Sequence, residues 1–150
     1  MTKILLSLHV LAAIVAIGPV TVAASMFPPA ARRATPSDGV GTAALLHRIC
    51  RVYSGVGLSV PVLGLATAAV MGVLGSGWLI TSIALTAAAA GILVAFVLPR
   101  QEELLDRLKE EQAADHRDTV QLAMFTGAFN LLWATVTVLM IVRPGSTTGA

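Results

Sequence analysis

The stretch Val120–Val142, VQLAMFTGAFNLLWATVTVLMIV, contains no Asp, Glu, Lys, Arg or His. Coiled as a helix rising ~1.5 Å per residue, it is long enough to cross a hydrocarbon core of ~30 Å. Three further runs match it in length and apolarity: Ile4–Met26, Val52–Leu74 and Trp78–Leu98. Four spans in 150 residues leave little chain for anything else. The sequence therefore predicts one domain over residues 1–150, an all-α membrane protein built as a four-transmembrane-helix bundle.

Composition agrees. Hydrophobic residues make up 56% and charged residues 12% of the chain, with a mean hydropathy of +0.83, whereas soluble domains carry roughly 25% charged residues. The expected partner is the lipid bilayer, joined by a membrane protein partner or a second copy. A formal charge of +2 gives no footing for nucleic acid. Cys50 is the sole cysteine, which excludes an internal disulfide and a thiolate metal cluster.

The first run follows Lys3 and meets Phe27-Pro28-Pro29, where two prolines withdraw backbone donors and are expected to stop the helix. Its apolar length exceeds that of a signal-peptide core, so it is read as a retained span. Pro19 is expected to bend it. Residues 28–41, with Arg32, Arg33, Pro36, Ser37, Asp38 and Gly39, read as a loop. Thr42 is the expected cap of a helix that enters the membrane near Val52, and Pro61 marks a second bend. Gly64, Ala68 and Gly72 recur every four residues in the second span, as do Ala87, Gly91 and Ala95 in the third. Such stripes let helix backbones approach closely, and they predict a tight hairpin between these two spans. Gly75-Ser76-Gly77 permits the reversal, and Trp78 suits the interface.

Pro99 opens an amphipathic helix over about 100–112. Leu104, Leu105 and Leu108 share one face, while Glu103, Arg107 and Glu111 recur on another. That helix is expected to present a solvated face, the alternative being a docking surface for a partner. Asp115 or Asp118 is placed to cap the last span. Basic residues cluster in the first and third connections: Arg32, Arg33, Arg48, Arg51, then Arg100, Arg107, Lys109 and Arg117, against Lys3 and Arg143 at the other end. By the excess of positive charge on cytoplasmic loops, both termini are expected on the non-cytoplasmic side of a bacterial inner membrane.

Catalytic patterns are missing from the sequence. It has no glycine-rich phosphate loop and no paired histidines at helical spacing, and every Asp and Glu lies outside the predicted spans. The polar groups expected inside the membrane are His9, Ser59, Thr67, Thr81, Ser82, Thr86, Gln121, Thr126, Asn130, Thr135 and Thr137. His9 is the ionisable one. It reads either as a neutral imidazole bonded to another helix or as a ligand. Asn130 is expected to join the fourth helix to a neighbour through a hydrogen bond. His47 and His116 are expected at the cytoplasmic rim in contact with water. This places them roughly a hydrocarbon thickness from His9, so bis-histidine haem ligation by this chain alone is not expected. Met71 and Met140 are predicted at the same outer level as His9, and imidazole plus thioether suits Cu(I) or haem iron.

The segment Leu8-His9-Val10-Leu11-Ala12-Ala13-Ile14-Val15-Ala16-Ile17-Gly18 resembles the first helix of an uncharacterised bacterial family of four-helix integral membrane proteins, itself similar to the CopD-like copper-resistance membrane proteins. Leu139-Met140-Ile141-Val142-Arg143-Pro144-Gly145 resembles that family's last helix. The chain departs at Ala16 and Pro19, where such proteins commonly carry tryptophan and a further glycine. The resemblance implies a histidine at the His9 position, suspected of binding haem b or copper, and no established reaction. The sequence is thus read as a binding or accessory membrane protein without catalysis of its own. The alternatives are a haem or copper protein using His9, and a small transporter.

Overall fold

A computed structural model describes residues 2–35 and 39–144. Among these residues, four continuous helical stretches are long and apolar enough to span a membrane: Thr2–Arg33, Val40–Met71, Gly77–Lys109 and His116–Val142. The all-α four-span reading holds. An even number of spans returns both termini to one end of the bundle, and the arginine-rich connections occupy the other.

Helix α1 (Thr2–Arg33) runs unbroken past Pro28 and Pro29, against the expectation that they stop it. Tertiary packing overrides the local signal: Phe27, Pro28 and Ala31 are all buried, and the residues around them form the centre of the core. The loop expected from residue 28 is correspondingly short, and Pro36–Asp38 within it lie outside the described residues. Helix α2 (Val40–Val56) starts before Thr42, at a left-handed Gly39 with φ 88°. A Cβ there would stand 2.9 Å from Ala34 Cα, so the close approach itself requires glycine.

Helix α3 (Ser59–Met71) continues α2 after a tight turn in which Leu58 N donates to Gly55 O and Val60 N to Gly57 O, at 3.2 and 3.1 Å. The bend expected at Pro61 thus falls one turn earlier. Proline's ring clashes with the carbonyl four residues before it, here Gly57. Helix α3 stops short of the expected Leu74. Gly72 adopts φ 71°, and Val73 N reaches back to Ala68 O at 3.1 Å. Gly72 is therefore a cap and not part of a packing face.

Helices α4 (Gly77–Ile92) and α5 (Leu98–Lys109) are joined by a five-residue π-helical turn, Leu93–Val97, into one rod. Pro99 supplies the reason. It cannot donate to Ala95, and the wider turn, closed by Leu98 N to Leu93 O, accommodates its ring. On α5 the shared leucine face, Leu104, Leu105 and Leu108, is buried in the chain's own core. Helix α6 (His116–Val142) is capped by Asp115, whose carboxylate accepts from Arg117 N at 3.1 Å.

Helix α1 is the central element, packing on α2, α3 and α6, while α4 packs on α6 and α5 on α2. The α3 and α4 segments share the outer turn but do not pack along their lengths, so the predicted hairpin is replaced by two pairings through α1 and α6. The core lies toward the arginine-rich end, built from Val20, Phe27, Leu46, Leu93, Leu104 and Leu122 among others. Elsewhere large apolar side chains such as Leu58, Leu131 and Ile141 point outward, as lipid-facing positions should.

Orientation can be read by thiol labelling in a protein whose buried Cys50 is first replaced by alanine. Gly75→Cys should react with a membrane-impermeant maleimide in intact cells, and Arg33→Cys only after permeabilisation. The reverse pattern would invert the topology.

Candidate functional site

His9 lies on the face of α1 that meets α3. Its Nδ1 is 2.9 Å from Val60 O, and because a carbonyl only accepts, Nδ1 is the donor of this bond. The ring lies against Gly64, where a Cβ would stand 2.9 Å from His9 Cε1. Gly64 thus makes room for an imidazole and not for the third span. Ala68 is buried one turn further along the same helix.

Met71 is seven residues beyond Gly64, about 10 Å of helical rise. Met140 belongs to α6, which packs on α1, whereas His9 is turned toward α3. The two thioethers expected beside His9 therefore sit on different helices, α3 and α6. His9 does not approach His47: between Val60, its partner, and His47 the chain rises by about 20 Å.

Ala87, Gly91 and Ala95 are exposed, and nothing stands within 4 Å of a Cβ built at Gly91. Asn130 Nδ2 donates to Ser25 Oγ at 3.2 Å, linking α6 to α1. The hydroxyls of Thr67, Ser82, Thr81, Thr135 and Thr137 each donate to a carbonyl one turn back in their own helix, which satisfies them without a neighbour.

The most developed polar cluster is one that sequence reading placed in water. His47 is only 6% exposed, a correction to its expected place on a solvated rim. Its Nδ1 is 3.0 Å from Oε1 of Gln101, a fully buried side chain whose amide nitrogen donates to Cys50 Sγ at 3.6 Å. Phe27 meets the imidazole edge-on, with ring centroids 6.5 Å apart. His47 Nε2 is buried and has no partner. The signal was available as spacing. Ala43, Leu46, His47 and Cys50 recur at three and four residues, as do Gln101, Leu104, Leu105 and Leu108, and each set forms one buried helical face.

Beside this cluster is an open cavity of about 360 Å³ lined by His47, Arg48, Arg51 and Val52. Three other basic residues at this end have side-chain partners. Arg107 pairs with Glu103 and Asp118 at 2.7 and 2.6 Å, Arg100 bonds Gln121 at 2.7 Å, and Arg32 bonds Thr119 at 3.0 Å.

A family model described as a predicted integral membrane protein, DUF2269, matches residues 3–144. The chain belongs to that family. The match spans all four helical stretches and both histidine neighbourhoods. Neither a curated protein nor a solved structure matches the chain.

The two small-residue stripes should now separate by experiment. Gly64→Leu drives a side chain into His9 and should cost on the order of 1–3 kcal/mol, read as a lower unfolding temperature in detergent. Gly91→Leu should leave that temperature nearly unchanged. Equal losses would mean that α4 packs through Gly91 within the single chain.

Proposed function

We propose that this DUF2269 chain is a binding or accessory protein of a bacterial cytoplasmic membrane, with both termini outside, that works by associating with another transmembrane helix. The observation that carries this reading is the exposed face Ala87, Gly91 and Ala95 on α4. Without a hydrophobic drive between helices in lipid, association depends on close backbone approach, and small residues at four-residue spacing provide it. Inside the chain that face meets no helix, so it is free for a partner subunit or a second copy. The test is purification in mild detergent. The unaltered chain should retain a stoichiometric membrane partner or form a dimer, and Gly91→Leu should lose the association while keeping its unfolding temperature. A chain that purifies alone, in one copy, would end this reading.

A second reading, haem b or copper held by His9, draws support from the likeness to CopD-like proteins and from the imidazole's geometry. Histidine ligands characteristically donate their other ring nitrogen to a carbonyl or carboxylate, as His9 Nδ1 does to Val60. Met71 on α3 and Met140 on α6 are the thioethers this reading pairs with it. Metal analysis and a visible absorption spectrum of the purified protein decide the matter. Copper or a haem band that disappears in His9→Ala would establish it, and neither in the unaltered protein would leave His9 as a helix-packing residue.

A further inference from the structure

The cavity at the arginine-rich end has an interior wall and an open mouth of quite different chemistry. Inside is His47, 6% exposed, with one ring nitrogen held by Gln101 and the other without a partner. At the mouth stand the guanidiniums of Arg48 and Arg51, which make no ion pair among the described residues. His47 Nε2 is itself closed off from the cavity, so the imidazole shapes the wall and the arginines set its charge. Two guanidiniums beside it repel cations and select an anion, and their planar forks match phosphate oxygens.

We infer that this cavity binds the phosphate of an anionic phospholipid. Arg48 and Arg51 take the phosphate oxygens, and His47, held by Gln101, forms the wall beside them. Two features select a lipid over a free phosphate ion. The cavity lies within α2 beside Val52, where the sequence places the entry of this span into the hydrocarbon and hence the depth of lipid headgroups. Its fourth wall is Val52, and Val52 and Val56, 55% and 43% exposed, continue one helix face from Arg48 toward the bilayer interior. That apolar track suits an acyl chain and has no use in holding a small ion. Net charge selects further, because the arginine pair disfavours the amine of a zwitterionic headgroup.

The site is tested on the full chain in nanodiscs and by native mass spectrometry from mild detergent, with phosphatidylglycerol and phosphatidylcholine as probes. The unaltered protein should retain phosphatidylglycerol in preference to phosphatidylcholine. The double variant Arg48→Gln/Arg51→Gln, altered only at exposed side chains, should lower that retention roughly tenfold or more. Arg33→Gln, which removes a charge at the same end but outside the cavity, should leave it unchanged. Equal retention of both lipids, or equal loss in Arg33→Gln, would overturn the proposal. Displacement of phosphatidylglycerol by millimolar inorganic phosphate would reassign the cavity to the free ion and overturn the lipid reading.

Discussion

A carbonyl freed inside a membrane finds no water to bond, and this chain frees several. Pro19, Pro28, Pro29, Pro61 and Pro99 all lie within or at the start of membrane-embedded helices, and each removes one donor from the ladder. The structure answers three of these interruptions in three ways. At Pro61 the helix is interrupted by a turn bonded three residues back. At Pro99 it widens into a π-turn. At Pro28 and Pro29 it is held straight on by the burial of Phe27, Pro28 and Ala31. The shape of the bundle follows from these local accommodations as much as from the length of its apolar runs.

Packing then divides the molecule into two unlike halves. Toward the arginine-rich end, α5 folds its leucines onto α1 and α2, and hydrogen bonds from Arg32, Arg100 and Arg107 to α6 side chains tie the connections together. Toward the termini the helices rely on smaller contacts: His9 on Val60, and Arg143 over the ring of Trp78 at 5.6 Å. α3 and α4 diverge below their shared turn. The tight half is where a defined polar site can be held in place, and the looser half is where another helix has room to enter.

How far the sequence anticipated this depends on the physical range of each signal. Span number follows from residue type averaged over some twenty positions, and such averages are robust. Helix ends were less legible, because Pro28 and Thr42 are local signals that long-range burial outweighed. The stripes were legible as stripes but not as pairs: spacing shows that Gly64 leaves a gap and cannot show that His9 fills it. His47 is the instructive miss. Its charged neighbours Arg48 and Arg51 suggested a wet surface, while its helical phase with Ala43, Leu46 and Cys50 placed it inside. Gln101 likewise sits in a polar run and belongs by phase to the leucine face of α5.

The π-turn carries a consequence for how related sequences should be aligned. Buried residues along the third rod fall at Ala89, Leu93, Val97 and Gln101, four residues apart each time. In a regular α-helix that interval would swing the buried edge by about 40° per step and carry Gln101 away from His47. The extra residue in the wide turn cancels much of that rotation, so the rod keeps one side inward from the outer turn to Lys109. A homologue with an ordinary helix here would keep the same inward edge with one residue fewer, and the correct alignment would place a single gap in the middle of a transmembrane span.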